Sequence, residues 1–348
     1  MKKTKLLIER IRVSVDSSEE MIANKAKEKM KRAGIGTASL HFRLYKKSID
    51  ARNKQDIRLE CAVLAEGELP LKALDEKLLA RAQARVLSEE EPNLTFGKIP
   101  MSAAPVVVGM GPAGLFAALL LAQNGYAPIL IDRGGSIAER TADVSRFREE
   151  GILNTESNIQ FGAGGAGTFS DGKLITRIND PLCNYVLKSL VAFGAPEDIC
   201  IKAKPHVGTD ILRVVVDHIL GEIERLGGRV IYRCRMDGIS ETAGKTLSVK
   251  TTKGDLHAGA LLLAPGHSAR DTYRYLIEQN FAVEAKPMSV GVRVEHLQSD
   301  IDRALYGDYA GHPNLGPAEY ALSDTKGERG VYSYINASNF DASTISII

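Results

Sequence analysis

The chain has 348 residues, of which 44% are hydrophobic and 25% charged, and its formal net charge is +2. Those fractions describe a soluble globular protein of more than one domain, able to bury a sizeable core. No run approaches the ~20 apolar residues of a membrane span, and the N-terminus is charged through Arg12 rather than built as a signal peptide, so a cytoplasmic location without a membrane partner is expected. The four cysteines, Cys61, Cys183, Cys200 and Cys234, form no Cys-x-x-Cys pair. That spacing argues against a redox disulfide, an iron–sulfur cluster or a metal site and leaves buried, reduced thiols as the expectation.

Charge is uneven along the chain: residues 1–60 hold 16 Lys and Arg against 8 Asp and Glu, or +8, so the remainder sums to −6. Residues 1–87 read as a basic α+β domain. Leu6 to Val15 alternates like a half-buried strand, and Ser17-Ser18-Glu19-Glu20 opens a helix to about Arg32 that Gly34 and Gly36 stop. Ser39–Tyr45 and Ile57–Leu64 are two further strands joined through Lys46–Gln55, and a helix is predicted over 71–86. Lys25, Lys27, Lys29 and Lys31 fall mainly on the solvent face of the first helix. A linker, 88–104, carries a Glu-Glu-Glu run and prolines and leads to Pro105.

The second domain, 105–280, starts at Val106-Val-Val-Gly-Met-Gly-Pro-Ala-Gly114. An apolar β-branched run breaks into Gly-x-Gly-x-x-Gly and opens the helical stretch Leu115–Gln123, which Asn124-Gly125 ends. Gly109 permits the tight turn, Gly111 lets backbone approach a pyrophosphate, Gly114 allows close helix-to-strand packing, and the helix N-terminus receives phosphate charge. A second apolar strand, Pro128–Ile131, ends on Asp132, 18 residues after Gly114, where a ribose-binding carboxylate belongs.

A polar helix over Ile137–Glu150 comes next, and then Phe161 to Leu174, which holds five glycines. Such backbone offers consecutive N–H donors in a concave nest and admits a flat ring or pyrophosphate, with Ser170 and Asp171 available as caps. After an inserted segment, 176–208, the stretch Thr209–Leu226 is an amphipathic helix whose crowded side is Ile211, Val214, Val215, His218 and Ile219. Gly227-Gly228 ends it. Strand Arg229–Arg235, a hairpin region Ser240–His257 and strand Ala260–Leu263 lead to Ala264-Pro265-Gly266. In a doubly wound sheet that last strand returns beside the first glycine turn.

Gly109–Gly114, Asp132-Arg133, the Phe161–Leu174 loop, Lys204-Pro-His-Val-Gly-Thr-Asp210, Gly266-His-Ser-Ala-Arg-Asp-Thr272 and Gly291-Val-Arg-Val-Glu-His296 together resemble a family of bacterial FAD-dependent dehydrogenase-like proteins, part of the NAD(P)/FAD-dependent oxidoreductases, of largely unassigned substrate. Lys47-Ser-Ile-Asp-Ala-Arg52 is similar to that family too, and coverage runs from about residue 5 to Tyr334. The fold this resemblance implies is α/β: a Rossmann-type FAD-binding domain of glutathione-reductase-like flavoproteins, with the small N-terminal α+β domain and a β-rich substrate region. It implies that Asp132 holds the adenosine ribose, and that Gly109, Gly111, Pro112, Ala113 and Gly114 hold the pyrophosphate. Arg133 and Arg140 would flank the adenine, and backbone near Met236 would meet its edge. Gly164, Gly165, Ala166, Gly167 and Thr168 would lie along pyrophosphate and ring, and Ala264 and Gly266 would form the closing turn. Two departures stand out: Ala163 where the family has an acid, and Pro265 at a position normally not proline.

The resemblance further implies a longer protein, with a Cys-Met-Cys-Pro-Gly-Gly-like segment and the last flavin contacts after the region of Tyr334. Residues 281–334 then read as a partial substrate or cap region and 335–348 as an aberrant tail, so the expectation is a truncated product. Three readings stay open: an FAD-dependent oxidoreductase transferring hydride to or from an unknown small molecule, a flavoprotein docking RNA through its basic N-terminal domain, and an inactive fragment with weak nucleotide binding. Nucleic acid ranks below the small molecule because the basic helix lacks interleaved aromatics. NAD(P)H stays open as electron donor, although no second Gly-x-Gly-x-x-Gly follows a strand. His267, with Arg293, Glu295 and His296 on a later strand, are the candidates for the reacting face; flavin itself performs hydride transfer and protein groups position it.

Overall fold

The computed structural model describes residues 4–69, 75–87, 94–95, 100–169, 172, 174, 176, 178, 180, 182–203, 205–242, 246–285, 293–324, 331–336 and 342–347. The predicted caps Ser170 and Asp171 and the motif residues Lys204 and Gly291 lie outside them. The chain divides into two compact units, one of residues 1–90, 200–204 and 286–348, the other of 91–199 and 205–285.

The first unit begins with β1 (Thr4–Ser14), α1 (Glu19–Arg32), β2 (Leu40–Asp50) and β3 (Arg58–Gly67), followed by α2 (Glu76–Ala82) and β4 (Ala84–Val86). They form one antiparallel sheet in the order β2-β3-β1-β4. Ser18 caps α1 by accepting from the Met21 N–H, and Ile22, Ala26 and Met30 recur at helical spacing as its buried face. The predicted helix over 71–86 is shorter than expected. Gln83 takes a left-handed conformation at φ 48° and stops α2, after which Ala84–Val86 pairs with Leu6–Ile8.

The second unit opens with β5 (Val106–Val108), α3 (Pro112–Gln123), β6 (Ile129–Ile131) and α4 (Ile137–Glu150), then a 3-10 turn at Ala166–Phe169, α5 (Leu182–Ala192), α6 (Thr209–Arg225) and β7 (Arg229–Ile231). A three-stranded antiparallel meander follows: β8 (Met236–Thr242), β9 (Thr246–Thr251) and β10 (Leu256–Ala258); β11 (Leu261–Leu263) and α7 (Arg270–Glu278) complete the unit. The strands β11-β5-β6-β7 form a parallel sheet. Its centre, Val106 to Val108 and Ile129 to Ile131, is buried on both faces, as continuous β-branched runs require. α3 and α6 cover one face through Leu115, Leu119, Val215 and Ile219, and the meander packs on the other through Met236 and Val249.

Two expectations here are corrected. The buried stripe of α6 is Val215, Val216, Ile219, Leu220 and Ile223, with Val214 51% exposed, so the apolar side is rotated from the predicted one. The strand predicted over 229–235 ends at Ile231, because Arg233 turns with φ 50° and donates its N–H to Gly134 O. Among the cysteines, Cys61 and Cys234 are buried, while Cys183 is half-buried and Cys200 exposed.

The chain then returns to the first unit with β12 (Arg293–Leu297), α8 (Gln298–Tyr306), β13 (Ala321–Asp324), β14 (Val331–Asn336) and β15 (Ala342–Ile347). Tyr306, Leu315 and Ala318 join Leu6, Ile11, Leu59 and Met30 in one core, so 286–348 groups with the N-terminal residues rather than standing alone. Residues 342–347, read from sequence as part of an aberrant tail, form β15 between β12 and β14.

Candidate functional site

The turn after β5 is held by a carboxylate. Asp132, 7% exposed at the end of β6, accepts the Met110 N–H at 2.7 Å through one oxygen and the Gly134 N–H at 2.8 Å through the other. Met110 O in turn accepts the Gly164 N–H at 2.9 Å, which ties the second glycine loop to the first turn. Gly109 has φ +102°, and a Cβ there would lie 2.1 Å from Ala264 O, so β5 and β11 can run this close only with glycine at that point. A Cβ on Gly114 would lie 1.9 Å from Gly109 O, which is the close helix-to-strand approach that the spacing predicts.

Gly111 is the N-cap of α3, makes no side-chain capping bond, and is followed by Pro112 with no acid in the first turn. The amides at this helix start therefore lack a side-chain acceptor, and an anion beside them is favoured by both hydrogen bonding and the helix dipole. A cavity of about 210 Å³ opens in front of them, with Gly111, Asp132, Gly165, Phe161, Pro265 and His267 in its wall. Gly109, Pro112, Ala166, Gly167, Ala264 and Gly266 also line it, as do Gln160, Gly162 and Ser268. Ligand sites for drug-sized molecules run from about 300 to 1,000 Å³, so this space is smaller than such a site.

Other residues named from the sequence sit elsewhere. Arg140 is fully buried, and its guanidinium donates to the carbonyls of Asn158 (2.7 Å), Ile159 (2.7 Å) and Ala163 (2.6 Å). Burial holds its pKa down at about 10 against the pull of Asp132. All of its short bonds go to backbone carbonyls between Asn158 and Ala163, so it shapes the entry to the glycine loop instead of presenting a charge to an adenine. Arg133 stacks over Phe161 at 4.5 Å and pairs with Asp271 at 2.9 Å. Met236 is core, packed with Val106 and Val108. Gly164 and Thr168 face each other, since a Cβ on Gly164 would lie 2.0 Å from the Thr168 hydroxyl, and neither lines the cavity. Ala113 is also absent from its wall.

His267 lines the cavity and lies 3.2 Å through Nε2 from Ser268 Oγ, which donates to Gln160 Oε1 at 3.2 Å. Arg293, Glu295 and His296 lie on β12 in the other unit, and His296 pairs with the Tyr320 hydroxyl at 3.2 Å. Gln160, Gly162 and Ser268 were not singled out as ligand-facing; the Gly-His-Ser string after β11 was the available signal. The capping box of α4, in which Ser136 and Glu139 exchange bonds, was also missed although its Ser-x-x-Glu spacing is plain.

Among the described residues no group of three or more His, Cys, Asp or Glu could hold a metal, and no helix is long and apolar enough to cross a membrane.

These elements define a mixed α/β protein with a glycine turn at the centre of a parallel sheet. Residues 287–335 match the family model described as FAD-dependent protein, C-terminal domain-like. The chain is 41% identical over 333 residues to an uncharacterized protein of Clostridium beijerinckii, covering 94% of this chain and 61% of that one, so it spans about three-fifths of the length of this curated relative. Among solved structures it is similar to an L-amino acid deaminase from Proteus vulgaris at 15% identity and TM-score 0.34, over 73% of this chain and 62% of that one. It is also similar to the Lactococcus lactis thioredoxin reductase at 15% identity and TM-score 0.28, over 47% and 36%.

Proposed function

We propose that the second unit is a Rossmann-type FAD-binding domain and that the protein is an FAD-dependent oxidoreductase acting on a small molecule. The observation that carries this reading is Gly111. It stands at an uncapped helix start, and the nearest atom to a Cβ built there is Gly165 Cα at 3.9 Å, so the fold itself has room for a side chain that the sequence withholds. Gly165, by contrast, meets Gly111 Cα at 2.7 Å and is needed by the backbone. The match of residues 287–335 to the FAD-dependent family supports the choice of dinucleotide.

In this reading Gly111, Pro112 and the first-turn amides of α3 hold the pyrophosphate, and Asp132, already fixed by two N–H groups, turns its remaining lone pairs to the ribose. The loop Gly165–Gly167 and the turn Ala264–Gly266 form the two walls. FAD, when bound, supplies hydride acceptance and donation, and NADH and NADPH are the electron donors to assay.

The test is an FAD titration of the purified chain, followed by flavin fluorescence, beside Gly111→Ala. Loss of affinity of about tenfold or more, equivalent to about 1.4 kcal/mol, with an unchanged melting temperature is expected. Equal affinity in both proteins, or no binding to either, overturns the reading.

A further inference from the structure

Two residues past Gly167, the last glycine-loop residue lining the cavity, a ring carries a cation whose Nε is buried without a partner among the described residues. Phe169, two residues beyond Gly167, has Arg140 over its ring at 4.5 Å and Arg213 of α6 at the same distance. Arg140 uses its donors on loop carbonyls. Arg213 is half-buried, its Nε is buried without a partner, and among the described residues its guanidinium makes no hydrogen bond or ion pair. The Thr168 hydroxyl, one residue before the stacked ring, is likewise buried with no partner.

Such an arrangement is costly for a protein without a ligand. A buried N–H without an acceptor costs free energy, and a second guanidinium on the same ring adds repulsion. Repulsion from Arg213 is one of the causes, after burial, that lower Arg140. Stacking on Phe169 covers the side chain but supplies no acceptor for the buried Nε. Five donors in a planar fork match the two oxygens of a carboxylate or phosphate.

We infer that Arg213 is an oxyanion receptor, taking a phosphate or carboxylate group of a ligand bound along the glycine loop. The anion has two possible sources, the dinucleotide's own phosphates or an acidic substrate. The inference rests on the FAD reading only for the first of these.

Inorganic phosphate and pyrophosphate are the probes, titrated into the full chain at constant ionic strength with melting temperature as readout. The wild type should show a saturable rise. Arg213→Met, which keeps the apolar stem on Phe169, should need at least tenfold more anion and melt no lower than the wild type without it, and Arg213→Lys should restore part of the response. FAD affinity measured on Arg213→Met then names the source: a parallel loss identifies the dinucleotide's phosphates, an unchanged value an acidic substrate. The inference is overturned if the wild type shows no saturable response, or if Arg213→Met responds like the wild type. A response that survives in Arg213→Met and disappears in Gly111→Ala also overturns it, while leaving the FAD reading intact.

Discussion

Arg140 shows how one side chain can stand in for secondary structure. The stretch from Asn158 to Ala163 has no sheet partner, and its carbonyls would be buried without donors unless something entered the loop from α4. One guanidinium supplies three short bonds there. Arg140→Met keeps much of the volume and removes every donor. It should destabilise the protein by on the order of 3 kcal/mol, read from the urea midpoint, and amide exchange across 158–164 should accelerate more than in α6. A midpoint within experimental error of the wild type would show that water replaces the guanidinium. The resemblance put position 140 beside an adenine, and the structure turns its guanidinium to backbone carbonyls instead. Sequence spacing places an arginine on α4 without telling whether its fork meets a ligand or backbone, and burial decides that.

At the scale of elements, α1 is joined to the sheet by its lysines as well as by its apolar stripe. The register of β1 on β3 slips between Ile8 and Ile11, where Arg10 takes φ 56°. Carbonyls freed at that bulge are taken up by Lys29, which donates to Glu9 O at 2.7 Å and to Gln83 Oε1 at 2.5 Å. Lys25 donates to Arg12 O in the same way. Lys29 is therefore part of the fold, and burial lowers its pKa. Lys29→Met should cost about 1 kcal/mol in thermal or urea unfolding, whereas Lys27→Met should cost nothing measurable. Equal effects of the two would mean that the bulge carbonyls are satisfied by solvent. The sequence made the helix and its three strands readable because their signals are local: a capping serine, alternating apolar residues, and glycines at the stop. It hid the bulge, and it hid the early end of α2, since neither Arg10 nor Gln83 is a residue that announces a left-handed turn. For the candidate site the same contrast holds. Gly109, Gly111, Gly114 and Asp132 were readable from spacing, whereas the buried Nε of Arg213, unpartnered among the described residues, appears only once α6 is laid against Phe169.

On the scale of the molecule, the first unit is assembled from distant parts of the chain, and Tyr306 is one of the residues that join them. It is 5% exposed in the core shared with β1 and β3. Burial pushes its hydroxyl up to about 12, with Asp302 and Glu319 adding to the shift from the ordinary value of 10.0. The folded state thus keeps a proton that the unfolded chain has begun to lose. Stability from this group is complete below about pH 10 and declines as pH rises toward 12, reaching on the order of 1 kcal/mol lost at about pH 11. Tyr306→Phe should remove that part of the alkaline decline when urea midpoints at about pH 9 and 11 are compared. An identical decline in both proteins would place the titrating groups elsewhere. No sequence pattern predicted this joining, because residues 286–348 and 1–90 are separated by the whole second unit and share no local signal.

The division of the chain has a consequence for its birth on the ribosome. Residues 91–199 and 205–285 belong to one body that can close as soon as α7 has emerged, whereas the body begun by β1 waits for Tyr306, Leu315 and Ala318 to fill its interior. The sheet begun by β1 thus precedes the second body in the chain and is completed after it, and during that interval its apolar side lacks those partners.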